Sequence, residues 1–237
     1  MKLITWNCQG AFRKKTDVIL AHQPDILVVQ ECEHPDKLIF GSTTQRPNDS
    51  YWYGDNLHKG IGIYSYSDYR FELLEIFNPE FRYILPVRVT GQGQTFTMFA
   101  IWAMNNKEFP EARYIGQIWL AINYYMDLLG NSTILIGDFN SNKIWDSKDR
   151  VGNHTAVVDK LADKNIYSTY HRHLNLAQGK EIHPTFFLNR NINKPYHIDY
   201  CFASANIYDK LQSVEVGTFA NWIIYSDHTP LIVNFDL

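Results

Sequence analysis

Cysteine is scarce in this sequence of 237 residues, and neither a long apolar run nor an excess of basic residues is present. The three cysteines, Cys8, Cys32 and Cys201, cannot all pair within one chain and form no CxxC unit, so we expect free, buried thiols in a reducing compartment. No apolar run approaches the ~18 residues that a membrane-spanning helix needs. Polar residues arrive by Asn7, too early for a signal peptide. These absences predict a soluble, cytoplasmic protein without a membrane partner.

The charge balance is slightly acidic, with 22 Lys and Arg against 25 Asp and Glu and a net charge of -3. A protein that binds polyanions by bulk charge usually has a clear basic excess. A phosphate-bearing substrate would therefore need a local device, such as a metal ion. No linker, repeat or low-complexity segment divides the chain, which predicts one domain over residues 1–237, a monomer without an obligate protein partner.

Strand and helix patterns alternate along the chain. Eight runs bounded by turn formers and rich in β-branched or aromatic residues predict strands: KLITW, DILVVQ, GIGIYSY, YILPVRVT, TFTMFAIW, STILIGD, HIDYCFA and LIVNF. Apolar residues at helical spacing predict helices over 111–130, starting near Pro110, and over 154–166; a third is expected over 16–22. This pattern predicts an α/β fold with two sheets packed face to face and covered by helices. The polar residues that end the strands would converge at one edge of the paired sheets.

Four of these polar residues have both a structural and a functional interpretation. Glu31 directly follows an apolar run, where a carboxylate needs a cation or donor, although a salt bridge would also satisfy it. In ILIGDFNS, Asp138 and Asn140 project together if the segment is extended, a pair suited to a hard cation and a phosphoryl oxygen. An Asx turn after a buried strand is the alternative. Asn7, beside Gly10, is either a site residue or a turn former.

A second set lies near the end of the chain. Asp199 interrupts an apolar strand, and we expect it to hold His228, since a carboxylate fixes the tautomer of a histidine and raises its pKa. Other histidines, His22, His34, His58, His171 and His173, lie in polar stretches and are expected at the surface. Together with Asp227, the carboxylates, amides and single histidine suit phosphodiester cleavage assisted by Mg²⁺, which prefers carboxylate oxygens and water. Zinc would call for Cys or several His.

Five segments in this order, ITWNCQG, VVQE, GDFN, HIDY and SDHTPL, resemble the motifs of the endonuclease/exonuclease/phosphatase superfamily, the group with the DNase I-like fold. The resemblance spans nearly the whole chain. It implies a four-layer α/β/β/α sandwich with two packed mixed β-sheets and a site at one edge.

The resemblance also implies a role for each matching residue. Glu31 would be the principal metal ligand, assisted by Asp227, and Asn7 would orient Glu31 and the phosphate. Asp138 would position or deprotonate the attacking water, helped by Asn140, which also touches the phosphoryl oxygen. His228, held by Asp199, would stabilise the negative charge of the transition state. Mg²⁺ is the implied cofactor, and Mn²⁺ would substitute for it.

Further residues match or depart from the family pattern. Tyr114 is a counterpart of a catalytic tyrosine in the abasic-site branch, or a tyrosine of the helix start. Phe186, Tyr196 and His197 occupy substrate-contacting positions, where aromatic rings could stack on a base or simply pack. Two residues depart from the family pattern. Gln9 stands where some members have an acidic residue of the metal site, and Trp102 lies near the position at which secreted DNases have a second histidine.

The leading hypothesis is a Mg²⁺-dependent phosphodiesterase, a nuclease acting on DNA or RNA. A phosphoesterase for a lipid or inositol phosphate is the alternative enzyme, disfavoured because no amphipathic membrane-binding helix or basic cluster is apparent. A binding module that has lost catalysis is the third reading.

Overall fold

The computed structural model of the chain describes residues 1–38 and 44–237. Its strands are β1 (Lys2–Asn7), β2 (Ile26–Cys32), β3 (Asp49–Asn56), β4 (Lys59–Ser65), β5 (Arg70–Leu73), β6 (Ile84–Gly91), β7 (Gln94–Trp102), β8 (Thr133–Asp138), β9 (Ile166–Ser168), β10 (Phe186–Phe187), β11 (Pro195–Tyr196), β12 (Asp199–Ser204), β13 (Leu211–Val216) and β14 (Leu231–Phe235). Its α-helices are α1 (Thr16–Leu20), α2 (Ile115–Tyr124), α3 (His154–Ala162), α4 (Thr169–Leu174), α5 (Ala205–Tyr208) and α6 (Phe219–Trp222).

Every strand predicted from the sequence is present, whereas β3, β5, β9, β10, β11 and β13 were not predicted. The predicted helices are shorter than expected. Tyr114 has a φ of 52° and a ψ of -120°, so α2 begins only after it, and Pro110 starts a separate 3₁₀ turn. The second predicted helix, α3, ends at Ala162 because Ile166 already begins β9.

The strands of the described residues form two six-stranded mixed sheets and a small hairpin. The first sheet has the order β13-β14-β1-β2-β4-β3, the second β5-β6-β7-β8-β12-β9, and β10 pairs with β11. The pairs β1–β2 and β7–β8 are parallel, whereas β1–β14 and β8–β12 are antiparallel.

Among the residues that the structure describes, three apolar clusters hold the layers together. Side chains such as Val28 and Ile136 fill the space between the two sheets. On the outer face of the second sheet, α2 and α3 pack through residues such as Ile118. On the outer face of the first sheet, α1 and α6 pack through residues such as Ile19 and Trp222. Each fully buried aliphatic side chain contributes about 1.5–3 kcal/mol. The predicted four-layer α/β/β/α sandwich is confirmed.

Strand direction brings the polar ends together. The parallel strands β1 and β2 end at the same edge of the first sheet, and the antiparallel β14 begins there, with Leu231 opposite Thr5. In the second sheet β8 ends where β12 begins, so that Asp138 lies opposite Asp199. The three cysteines are free and buried, as predicted. Within the described ranges, no helix has both the length and the apolar character that crossing a bilayer requires.

Candidate active site

Asn7 and Asp138 meet between the two sheets because each continues the inward-facing row of its strand. Side chains two apart on a strand share a face. Leu3 of β1 and Ile136 of β8 lie in the core between the sheets, so Asn7 and Asp138 point inward as well. The Asn7 side chain is 2% exposed and that of Asp138 is completely buried. The Asn7 amide Nδ2 donates to Asp138 Oδ2 at 2.9 Å, which ties the two sheets together at this edge.

Asn140 contacts the Asp138 carboxylate with both its backbone and its side chain, because the chain makes a tight turn between the two residues. Its backbone N donates to Asp138 Oδ1 at 2.8 Å, and its side-chain Nδ2 donates to Oδ2 at 3.0 Å and to the carbonyl of Ala103 at 2.9 Å. The φ of Asn140 is +46°, so the segment is not extended as predicted, and the two side chains meet through an Asx-type turn instead. Gly137 is required just before this turn, since a Cβ there would lie 1.9 Å from the carbonyl oxygen of Ile101.

Glu31 reaches the site through a bulge in β2. The pairing of β2 with β4 shifts between Gln30 and Cys32, and Glu31 has a φ of +61°. Such a conformation costs a residue with a side chain about 1–3 kcal/mol and is concentrated at functional sites. The bulge leaves Glu31 partly exposed, with its Oε1 3.3 Å from the Asn7 amide Nδ2, which donates to it. Asn7 therefore contacts both predicted carboxylates.

Lys59, the first residue of β4, forms an ion pair with Glu31 that sequence reasoning missed. Its Nζ lies 2.8 Å from Glu31 Oε2 and 5.5 Å from the centre of the Trp102 ring. The antiparallel register of β2 with β4 places it there, because Gly60 lies opposite Cys32. The only signal in the sequence was a lysine directly before a predicted strand.

His228 and Asp199 form the predicted buried pair. His228 Nδ1 lies 2.9 Å from Asp199 Oδ2, and both residues are almost fully buried. Burial opposes the charge on His228, but the carboxylates of Asp199, Asp138 and Asp227 outweigh it and raise the pKa of His228 to about 10. The other ring nitrogen, Nε2, faces Asp138 Oδ2 at 4.0 Å. The histidine is therefore held protonated beside Asp138, the carboxylate to which the family resemblance assigns water activation.

The pKa of Asp138 is raised to about 7. Burial is the main cause, and the negative charge of Asp199 adds to it, while His228 and the hydrogen bonds from Asn7 and Asn140 act in the opposite direction. A carboxylate with a pKa near neutrality is suited to accepting a proton in a reaction at neutral pH.

Asp227 lies on the Glu31 side of the site. Burial raises the pKa of Asp227, His228 lowers it, and the charge of Glu31 raises it again. Its backbone N donates to Gln9 Oε1 at 3.3 Å, and the same oxygen accepts from the Arg190 guanidinium. Two carboxylates that repel each other, one of them already holding an ammonium group, form a donor set that fits a hard divalent cation.

A second group of possible metal ligands lies deeper. Asp138, Asp199 and His228 each offer an atom within 4.8 Å of the others. Both oxygens of Asp138 already accept amide hydrogen bonds, and His228 Nδ1 is hydrogen-bonded to Asp199. These three residues are therefore as well suited to proton transfer as to binding a metal ion. Asp199 Oδ1 is buried and has no hydrogen-bond partner among the described residues.

Aromatic rings lead outward from His228. Phe186 packs against the His228 ring with centroids 4.7 Å apart, and Tyr196 follows at 6.4 Å from Phe186. Trp145, which sequence reasoning missed, lies 4.9 Å from Tyr196 and is 50% exposed. Its signal in the sequence was an isolated tryptophan in a polar loop after GDFN.

The two remaining predicted residues have different positions. Tyr114 is exposed and lines a cavity of about 280 Å³ together with Asn140 and Trp145, beside the cluster rather than in it. His197 is only 3% exposed, its Nδ1 bonds the carbonyl of His183 at 2.7 Å, and burial lowers its pKa to about 4. Its ring packs in the interior, with its centroid 4.4 Å from that of Tyr170.

The expectation that His171 lies at the surface is wrong. Its side chain is buried, with Nε2 2.8 Å from Glu181 Oε1 and Nδ1 2.8 Å from Ser168 Oγ. Asn142, two residues after Asn140, donates to the same Glu181 carboxylate at 3.1 Å. This buried network anchors the loop that carries Asn140. The polar residues around His171 in sequence concealed it, because α4 turns this one side inward.

A protein-family profile and several solved structures match this chain. The profile described as the Endonuclease/Exonuclease/phosphatase family matches residues 4–228. No curated protein sequence matches the chain significantly.

Solved structures share the fold at low sequence identity. A 3′ phosphatase from Neisseria, bound to its product DNA hairpin, is 22% identical with a TM-score of 0.69, and each chain is covered completely. An AP endonuclease from Leishmania major is 14% identical with a TM-score of 0.72, over 98% of this chain and 86% of that one. An AP endonuclease from Archaeoglobus fulgidus is 16% identical with a TM-score of 0.63, over both full chains.

Proposed function

Because the chain belongs to the Endonuclease/Exonuclease/phosphatase family, whose members hydrolyse phosphate esters, we propose that it is a divalent-metal-dependent phosphodiesterase that cleaves nucleic acid. The observation that carries this proposal is the buried contact of Asn7 with Asp138, beside the His228–Asp199 pair. This cluster at the sheet edge brings together a carboxylate that can accept a proton, Asp138, an amide donor, Asn7, and a cationic donor, His228.

In this mechanism, Asp138 accepts the proton of the attacking water. Its pKa of about 7 leaves a large fraction ionised at neutral pH, and the carboxylate is still basic enough to take a proton. The amides of Asn7 and Asn140 hold its oxygens in place. This fixed geometry removes the cost of orienting the base at the moment of reaction.

His228 stabilises the charge that grows on the phosphoryl oxygens. It is cationic because its pKa is about 10, and Asp199 fixes the ring by its bond to Nδ1, leaving Nε2 toward the reacting group. A cation in a buried site interacts strongly with developing negative charge, and the interaction strengthens in the transition state.

Glu31 and Asp227, with Asn7 adjacent, are the residues that would hold the cation, which we propose to be Mg²⁺, with Mn²⁺ as a substitute. When bound, a divalent cation neutralises charge on the phosphate and lowers the pKa of a bound water. Lys59 already neutralises Glu31 at this position, which supports the need for a positive charge there.

Two observations support nucleic acid as the substrate. The Neisseria relative was solved with a DNA hairpin product. In this chain, partly exposed aromatic side chains lie beside the catalytic cluster, and aromatic rings are the usual stacking partners of bases. The chain is slightly acidic overall, so binding depends on these local features.

A substrate panel with Mg²⁺ tests the proposal. We expect cleavage of at least one of single-stranded DNA, double-stranded DNA, abasic DNA and RNA, and none of inositol or lipid phosphates, with the Asp138→Asn variant as the inactive control. Cleavage of the inositol or lipid phosphates alone would transfer the chain to the alternative enzyme class. A wild-type protein that hydrolyses nothing but binds nucleic acid would be a binding module.

A further inference from the structure

An aromatic row runs from the catalytic cluster to the protein surface. It starts at the ring of His228, passes through Phe186 and Tyr196, and ends at Trp145, with neighbouring centroids 4.7, 6.4 and 4.9 Å apart. Single exposed apolar residues are common on protein surfaces and need no explanation. A connected row that begins at a catalytic side chain is a different observation, because a substrate held at His228 necessarily passes beside it.

Trp145 is held rigidly although half of it is exposed. The residue closes a 3₁₀ turn over Lys143–Trp145, which begins where the Asn142 side chain accepts from the backbone N of Ile144 at 3.0 Å. The next residue, Asp146, accepts from the backbone N of His154 at 2.8 Å at the start of α3. Anchors on both sides mean that little conformational entropy is lost when a ligand covers the ring.

The position of Trp145 connects the row to the reacting groups on a second side. Trp145, Asn140 and Tyr114 line the same cavity of about 280 Å³. Asn140 donates to the Asp138 carboxylate through both its backbone and its side chain. A ligand portion lying on Trp145 is therefore adjacent to Asn140, which holds the Asp138 carboxylate in place in the proposed mechanism.

From these contacts we infer that Trp145 and Tyr196 form a stacking platform for one unpaired nucleobase next to the scissile phosphate. The inference rests on the proposed function and narrows it: the substrate is single-stranded or frayed at the cleavage position. The ligand is a base because the two aromatic rings lie 4.9 Å apart with half of Trp145 exposed, and every base has a face to stack on. A duplex would keep its bases stacked on one another and leave the platform empty.

The test compares Trp145→Ala with Ile144→Ala, the neighbouring residue, which is also exposed but lies outside the row. Binding of a single-stranded oligonucleotide is measured by fluorescence anisotropy in the Asp138→Asn background. A single abasic position is then moved along the strand. We expect Trp145→Ala to weaken binding about fivefold or more, the lower range for loss of one stacked base, while Ile144→Ala has no effect.

The abasic series separates stacking from a structural role. At one position along the strand, removing the base should weaken binding to the wild-type platform as much as Trp145→Ala does, and combining both changes should cause no further loss. Trp145→Phe should retain most of the affinity, and the circular dichroism spectrum and thermal unfolding of Trp145→Ala should match those of the wild type, which shows that the variant is folded.

Two results overturn the inference. If Trp145→Ala weakens base-containing and abasic strands equally at every position, Trp145 does not stack on a base. If duplex with paired ends binds and is cleaved better than single strands, the platform is not used. A wild-type protein that neither binds nor cleaves any nucleic acid removes the proposed function itself, a result that the unmodified strand reveals before any variant is made.

Discussion

Asp138 lies directly opposite Asp199 in the antiparallel pairing of β8 with β12, and His228 lies between their carboxylates, 2.9 Å from Asp199 and 4.0 Å from Asp138. Two neighbouring buried carboxylates repel each other, and one cationic histidine stabilises both. Burial and the charge of Asp199 raise the pKa of Asp138, whereas the neighbouring carboxylates outweigh burial and raise the pKa of His228.

Replacing Asp138 by Asn should abolish turnover and preserve the fold. The amide keeps the shape of the side chain but cannot accept a proton from water, so kcat should fall on the order of 10²–10⁴-fold, as for loss of a general base. Thermal unfolding should remain cooperative at a moderately lower temperature, because the amide nitrogen of the variant faces donors to which the carboxylate oxygens offered lone pairs. Near-normal kcat in the folded variant would exclude Asp138 as the base.

Asp199 should act through His228. His228→Ala should lower kcat with little change in KM, since the cation interacts mainly with the transition state. Asp199→Asn should lower kcat less, and the double variant should be no slower than His228→Ala alone, which steady-state kinetics of the three proteins will determine. Fully multiplicative losses would mean that Asp199 has a function independent of the histidine.

The pH dependence of kcat should be bell-shaped. The reaction needs Asp138 ionised, so the rate should rise as pH increases through about 7, and it needs His228 protonated, so the rate should fall as pH passes about 10. In Asp199→Asn the alkaline limb should move to lower pH, because the carboxylate that raises the pKa of His228 is lost. An alkaline limb that stays in place would assign it to another group.

The position of the cation can be decided by direct binding measurements. Chelation should abolish activity, and Mg²⁺ or Mn²⁺ should restore it. In Mn²⁺ titrations followed by electron paramagnetic resonance, Glu31→Gln should weaken binding at least about tenfold, because even the loss of a residue that only supports a metal ligand costs that much. Asp199→Asn should leave it within about twofold. The reverse order would place the ion at Asp138, Asp199 and His228.

Lys59 should compete with the cation for Glu31. Its ammonium lies 2.8 Å from Glu31 Oε2, so Lys59→Met should tighten Mn²⁺ binding in the same titration. Lys160 provides the matched control, because its Nζ lies 5.3 Å from the centre of the Trp119 ring, much as Lys59 lies over Trp102. Lys160→Met should not change binding. Weaker binding in Lys59→Met would mean that the lysine supports the site rather than competing for it.

Much of the fold was predictable because burial leaves a strong pattern in sequence. The runs KLITW and STILIGD alternate or remain apolar as core strands do, and both became central strands of the two sheets. Short or half-exposed strands such as β3 and β13 were missed, since their side chains are mixed and their pairing is set by neighbouring strands. The predicted start of α2 was wrong because the backbone of Tyr114 is not helical, which the apolar periodicity does not reveal.

The sequence by itself determined which residue types end the core strands, and therefore the chemistry: Asn7, Asp138, Asp199 and His228 were identified from local patterns. The contact of Asp199 with His228 was expected as well, whereas only the tertiary structure decided the other contacts. Residues far apart in the chain meet according to strand order and register, as Asn7 with Asp138 shows. The bulge at Glu31, the ion pair with Lys59 and the place of Trp145 beside Tyr196 also depend on contacts between distant segments, which no local spacing encodes.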